Sequence, residues 1–433
     1  MQLRIDKIIT GGLGLARQAD GMVVLTRFVL PGETVEVRAT KGHRGHVEAD
    51  LVRVLEPSPE RVAPPCPYYT VCGGCDFQHI SELAQLRLKE EIFREALQRA
   101  GLQAGSQCLR PVLPSPQSYH YRYRVRLKLA PDGRLGFFQA KSNDLVRIDR
   151  CLVATELLNT ALRELQASSL PARASQTIRE IDLLHSPADD RVHALLLPAP
   201  KKSVDQGLLA DCAGELPAMR AVWLRTGTGL KNMFGDCGPE LLGQDFTQAD
   251  SGQAFTLRWP PGSFSQVNAG QNARLIGLVL GLAGDIAGQR VLDLFCGMGN
   301  FSVPLALTGA QVTGVERGQD SVTWARNNAA AAGCHDAEFI AADVARALTT
   351  SAITRASFEL IVLDPPRQGL GRDCAKLADL SPSRIIYISC DPATLMRDLA
   401  LLCARGYRLA QLIPVDMFPQ THHIETVALL EKN

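Results

Sequence analysis

From about Gly262 to the end of the chain, short apolar segments alternate with stretches of helical spacing, and that alternation leaves few folds open. Val291–Phe295, Gln311–Glu316, Ala337–Asp343, Phe358–Asp364, Arg384–Ser389 and Glu425–Leu430 read as strands, most of them separated by helices. Repeated β and α units of this kind predict an α/β domain with an open, doubly wound, Rossmann-like sheet. In such sheets ligands bind at the carboxyl ends of the strands, so the residues that follow each strand carry the functional information.

At 433 residues the chain exceeds one ordinary core, and two or three domains are expected. Residues 1–57 alternate apolar and polar positions with glycine breaks, which predicts a small β-barrel. Pro57, Pro59, Pro64, Pro65 and Pro67 interrupt that pattern. A helix is then predicted from Ser81, as its cap, to Ala100, with Leu83, Leu86, Ile92 and Leu97 on its apolar face. That helix is expected to pack on the C-terminal domain. The rest of residues 58–261 predicts a central α+β domain whose elements cannot be ordered from periodicity. Residues 262–433 form the α/β domain.

Lys and Arg total 46 against 45 Asp and Glu, a net charge of +1, so global charge gives no evidence for a polyanionic partner. Local charge is more suggestive. Nine basic residues between Arg110 and Arg150 interleave with Tyr119, Tyr121 and Tyr123, a pattern suited to phosphates and unpaired bases, and equally to an ordinary solvated strand face. Met1–Lys7 contains no apolar run, and no eighteen-residue apolar stretch occurs, so a cytoplasmic protein without a membrane partner is expected. Twelve cysteines should then stay reduced, available as ligands or nucleophiles.

The run Leu292-Asp293-Leu294-Phe295-Cys296-Gly297-Met298-Gly299-Asn300-Phe301 puts two glycines on the turn after a buried strand, where a ligand must approach the backbone. Glu316 ends the next strand and suits ribose hydroxyls; Asp343, after the third, suits an adenine amino group. A dinucleotide fingerprint wants a third glycine where Ser302 stands. S-adenosylmethionine needs no pyrophosphate cradle and fits better than a nicotinamide cofactor.

Asp364, before Pro365 and Pro366, and Cys390, before Asp391 and Pro392, each follow a strand and should face the same crevice. The helix opening at Pro392 is expected to lower the Cys390 thiol pKa, with Asp391 opposing. Glu425 opens the last strand and can return to the crevice as a base. The adjacent His422 and His423 point to opposite faces of an extended chain, which favours backbone shaping over metal ligation. A thiolate, a base and a methyl donor suit methylation at carbon 5 of a pyrimidine, where addition of the thiol to carbon 6 makes carbon 5 nucleophilic. Methylation of an amino group would need no thiol.

Cys66, Cys72 and Cys75, with Cys151 far downstream, have the spacing of a four-thiolate cage, which suits iron–sulfur or zinc alike.

The motifs DLFCGMGNF, DPPRQG, SCDP and HHIET together resemble those of the RNA uracil-5-methyltransferase family over most of the chain. The resemblance implies a nucleophile at Cys390 and a base at Glu425. It also implies S-adenosylmethionine contacts from Gln266, Phe295, Asn300, Glu316, Asp343 and Asp364, with Gln266 in the entry run Pro261–Asn268. It implies a 4Fe-4S cluster on Cys66, Cys72, Cys75 and Cys151, and a TRAM-type RNA-binding barrel at the N-terminus. Within the family these two features resemble the branch that acts on 23S rRNA, as a monomer on an extruded base, with Phe264 as a stacking partner. Another RNA, such as tRNA, and a non-catalytic RNA-binding iron–sulfur protein are the alternatives.

Overall fold

A computed structural model of the chain describes residues 1–102, 108–227, 229–235, 242–248 and 252–433. The first sheet comprises Gln2–Arg4, Lys7–Ile9, Leu13–Arg17, Val23–Thr26, Thr34–His43 and His46–Glu56. Its order puts Gln2–Arg4 at one end and Lys7–Ile9 at the other, although only Ile5 and Asp6 separate them in the chain. A flat six-stranded sheet would hold its outer strands about 24 Å apart at about 4.8 Å per step, far beyond the reach of two residues. The sheet therefore curls round a small core of Leu3, Ile5, Ala16, Val24, Val29, Val35 and Val37.

The predicted helix spans Glu82–Arg99, but its start and its face differ from expectation. The Ser81 hydroxyl does not cap it and instead donates to Glu60 Oε2 at 2.6 Å. Leu83 is 70% exposed, and the buried stripe is Ala84, Gln85, Leu88, Lys89, Ile92, Phe93 and Leu97. Ala84, Leu88 and Ile92 pack with Ile8 of the first sheet and with Leu30, which lies between two of its strands, whereas Phe93 and Leu97 enter the core of the C-terminal sheet. One helix thus bonds two layers.

A mixed seven-stranded sheet follows, in the order Gly229–Gly235, Met219–Thr226, Arg191–Pro198, Ile178–Ser186, Arg124–Leu129, Leu135–Phe138 and Leu145–Arg147. Ile178–Ser186 is buried at nearly every position because its two faces enter different cores: Leu183 packs with Leu158 and Leu162 of the helix Glu156–Ala167, and Leu184 with Leu257 and Trp259. That two-sided burial erases the alternation from which a strand is normally read.

The C-terminal sheet has the order Glu338–Ala341, Gln311–Glu316, Arg290–Leu294, Leu360–Leu363, Arg384–Ser389, Glu425–Lys432, Tyr407–Val415. The first five strands are parallel, as the Rossmann-like reading requires. The last two are not: Glu425–Lys432 runs antiparallel to both its neighbours, and Tyr407–Val415 was not foreseen. Among the described residues no helix is long and apolar enough to cross a membrane.

Candidate active site and thiolate cage

Reversal of the final strand is what assembles the site. Ser389 pairs with Thr426, so Cys390 comes just after that pair and Glu425 just before it, at the same end of the sheet. Leu363 pairs with Tyr387, which brings Asp364 to the neighbouring position. Glu425 is 3% exposed, and its Oε1 has no hydrogen-bond partner among the described residues. Burial, and then the Asp364 charge, hold its carboxyl well above the usual range, with Arg367 opposing. Burial likewise pushes Asp364 up to about 7.

The expected lowering of the Cys390 thiol is not what the structure gives. Burial first, then the Glu425 and Asp364 carboxylates, push it up to about 11, against Arg367. The helix Pro392–Cys403 does begin nearby, but its first turn is committed to Asp391, whose Oδ1 accepts from Thr394 N at 2.8 Å. In the free site the surroundings of Cys390 thus favour the thiol over the thiolate.

The turn after Arg290–Leu294 is open to a ligand. Phe295, Gly297 and Gly299 all have positive φ, at 63°, 55° and 95°. A Cβ on Gly297 would meet nothing within 4 Å, so the room above that turn is free, whereas one on Gly299 would press on Val303 at 3.0 Å. Glu316 Oε2 accepts from Gly297 N at 3.4 Å and Oε1 from Gly318 N at 2.8 Å, which ties the second strand end to the turn. Asn300 exchanges two hydrogen bonds with Asn272, at 2.9 and 3.1 Å. Asp343 caps the short helix Val344–Ala347 by accepting from Arg346 N at 3.3 Å. Gln266 lines a cleft with Tyr123, His185, Leu242 and Trp259, and Gln244 of that cleft accepts from Asn272, the partner of Asn300.

Cys66, Cys72, Cys75 and Cys151 line one cavity of about 420 Å³. Among the described residues no three of them bring their sulfurs within 4.8 Å of one another. Burial and the neighbouring cysteines push Cys72 up to about 11 and Cys75 up to about 12. A bound cation would reverse that. Cys151 is fixed by its N–H donating to Asn159 Oδ1 at 2.8 Å and its carbonyl accepting from Asn159 Nδ2 at 3.1 Å.

The basic segment is largely neutralised within the fold. Arg124 and Arg126 pair with Asp182, Lys128 with Glu180, Arg134 with Asp132 and Lys141 with Glu48. The cause is register: Asp182 lies opposite Arg126 and Glu180 opposite Lys128. Tyr121 is buried and donates to Pro419 O at 3.0 Å, and Tyr123 stacks on His185 at 4.6 Å. Phe264, by contrast, is 74% exposed. Sequence reasoning missed Asp76, Gln85 and Lys89, which hold the segment before Glu425, because polar residues on a helix face or beside a cysteine carry no motif.

Residues 241–433 match the family model described as tRNA (Uracil-5-)-methyltransferase. A "23S rRNA (uracil(1939)-C(5))-methyltransferase RlmD" of Shewanella amazonensis is 36% identical, covering 99% of this chain and 95% of the relative. A protein of the same name from Shewanella baltica is 36% identical over 100% of this chain and 95% of its own. Among solved structures, Pyrococcus abyssi tRNA (uracil-54, C5)-methyltransferase in complex with S-adenosyl-L-homocysteine covers 99% of this chain and 100% of its own with a TM-score of 0.75 at 24% identity, a likeness of fold. With full-length relatedness at this level and a shared α/β fold, the chain belongs to the S-adenosylmethionine-dependent RNA uracil-5-methyltransferase family.

Proposed function

We propose that the chain transfers a methyl group from S-adenosylmethionine to carbon 5 of a uridine in 23S rRNA, the one that its relatives' names give as uracil 1939. The observation that carries the chemistry is the buried Glu425 carboxyl, its Oε1 without a partner among the described residues, one cross-strand pair from Cys390. As the substrate binds, Cys390 loses its proton to solvent, and its thiolate sulfur bonds to carbon 6 of the extruded base. The C5–C6 electron pair then forms a bond to the donor methyl carbon as the methyl–sulfonium bond breaks. Glu425 takes the carbon 5 proton, the released pair restores the C5–C6 double bond, and the bond from Cys390 to carbon 6 breaks to return the thiolate. Asp364 holds the base or donor edge; Gln266, Phe295, Asn300, Glu316 and Asp343 hold the donor.

The four cysteines are read as ligands of a 4Fe-4S cluster because all four line one cavity and their spacing resembles that of the family's cluster ligands. When bound, the cluster supplies cross-links that close the long loop from Cys75 to Cys151. Residues 1–57 are read as a TRAM-type RNA-binding barrel, 58–261 as the cluster-bearing domain and 262–433 as the catalytic domain, in a cytoplasmic monomer. Mapping 5-methyluridine in ribosomal RNA from cells with and without the gene tests the function; an unchanged map would refute it.

A further inference from the structure

Asp76 joins the cysteine loop to the loop that ends in Glu425. It directly follows Cys75 and is 5% exposed. Its Oδ1 accepts from His422 N at 2.9 Å, and its Oδ2 is hydrogen-bonded to His422 Nδ1. Arg27, just past the strand Val23–Thr26 of the first sheet, holds the same Oδ2 at 3.7 Å. The backbone N–H groups of Asp76 and Phe77 both donate to Gln420 O, at 3.2 and 3.0 Å.

These bonds hold the tip of a loop whose first half is held by others: Lys89 donates to Asp416 and to Phe418 O, Asn268 Nδ2 to Met417 O and Tyr121 to Pro419 O. Val415 pairs with Glu425, so residues 416–424 form an excursion from the sheet. Its tip contains Gln420 at φ 68°, a conformation that strains a non-glycine residue and persists only where its surroundings impose it. Gln85 imposes it by accepting from Gln420 N at 3.0 Å and donating to Gln420 Oε1 at 3.0 Å. The first sheet closes on the same point: a Cβ on Gly12 would come 2.8 Å from His422 Cβ. Cys390 and the glycine turn lie on other strands and share none of these contacts.

We propose that Asp76 is a positioning residue for the proton-removal step, holding the 416–424 loop through His422 so that Glu425 meets carbon 5, and that an intact cysteine cage is required for it to do so. This rests on Glu425 as the base and on the cysteines as cluster ligands. Proton abstraction needs the base within about 3.2 Å of its target, so a loop displaced by about 1 Å disables that step while leaving thiol addition and methyl transfer intact. A residue that merely stabilised the fold would slow every step together.

The test uses full-length, cluster-loaded Asp76→Asn. Its turnover on ordinary RNA should fall by about tenfold to a hundredfold, within the range of a general-base contribution. The KM for RNA, the S-adenosylmethionine affinity and the iron content should stay near wild type. A denaturant-resistant RNA adduct, absent from wild type, should now accumulate, and amide exchange should quicken across residues 420–424. Removing the cluster from wild type should quicken exchange in the same segment. Unchanged turnover, equal loss of adduct formation and turnover, or unchanged exchange in either protein would overturn the proposal. Glu425→Gln is run beside it: if that variant accumulates no adduct, the assignment of the base has failed, whereas an adduct with Glu425→Gln and none with Asp76→Asn overturns the role of Asp76 alone.

Discussion

Lys89 Nζ lies 2.6 Å from Asp416 Oδ1, joining a helix near the start of the chain to the residue that opens the base-bearing loop. The Lys89 side chain is wholly buried and that of Asp416 is 7% exposed, and the ammonium also donates to Phe418 O at 3.3 Å. Removing one partner of such a pair strands the other charge, at a cost of about 3–5 kcal/mol. Lys89→Met should therefore lower stability by roughly that amount. Denaturant titration would detect it, and a midpoint equal to wild type would show that the pair contributes nothing net.

Cys390→Ala should abolish methyl transfer while leaving S-adenosylmethionine binding within about twofold of wild type, since the thiol acts on the base and the donor turn is built from another strand. With 5-fluorouridine in the target RNA the wild-type enzyme should accumulate a covalent complex, because fluorine does not leave as a proton does. Normal turnover by the alanine variant excludes covalent catalysis.

Stability should depend on pH through Asp364. Its folded pKa, raised by burial to about 7 from an ordinary 3.8, means that between those values the folded state keeps a proton that the unfolded chain has lost. Stability from this group thus falls as pH rises through that window and levels off above it. Asp364→Asn should raise the urea midpoint at pH 8, with a gain that shrinks towards pH 4, and it should impair methylation at both. A gain that grows towards acid pH would reverse the sign and refute the assignment.

Protein purified without oxygen should be brown and carry iron and sulfide near four per chain, the content of a four-thiolate 4Fe-4S centre. Cys151→Ser should lose the colour and weaken RNA binding more than donor binding. Stoichiometric zinc without sulfide would replace the cluster reading.

Gln311–Glu316 and Arg384–Ser389 were legible to the residue because parallel strands under helices must be apolar along most of their length. Tyr407–Val415 escaped notice because it lies at the sheet edge, half-buried through its middle, and carries Pro414, which in a sequence reads as a break. Cys390, Glu425 and Asp364 were found from motif position alone, and the fold brings them together. Their protonation was not readable, since it depends on carboxylates that arrive from other strands. Nor was the pairing of Arg126 with Asp182, where a basic stripe proved to be half of a cross-strand ladder.

The antiparallel last strand also sets an order of assembly on the ribosome. The five parallel strands and the glycine turn are translated before residue 390, so the donor-binding half can form while Arg384–Ser389 still has a bare edge. Only when residues 425–432 emerge and pair along that edge does the base arrive beside the thiol. A chain interrupted in between would keep Cys390 and the glycine turn but lack Glu425, so the carboxyl proposed to release the RNA is the last of these groups that translation delivers.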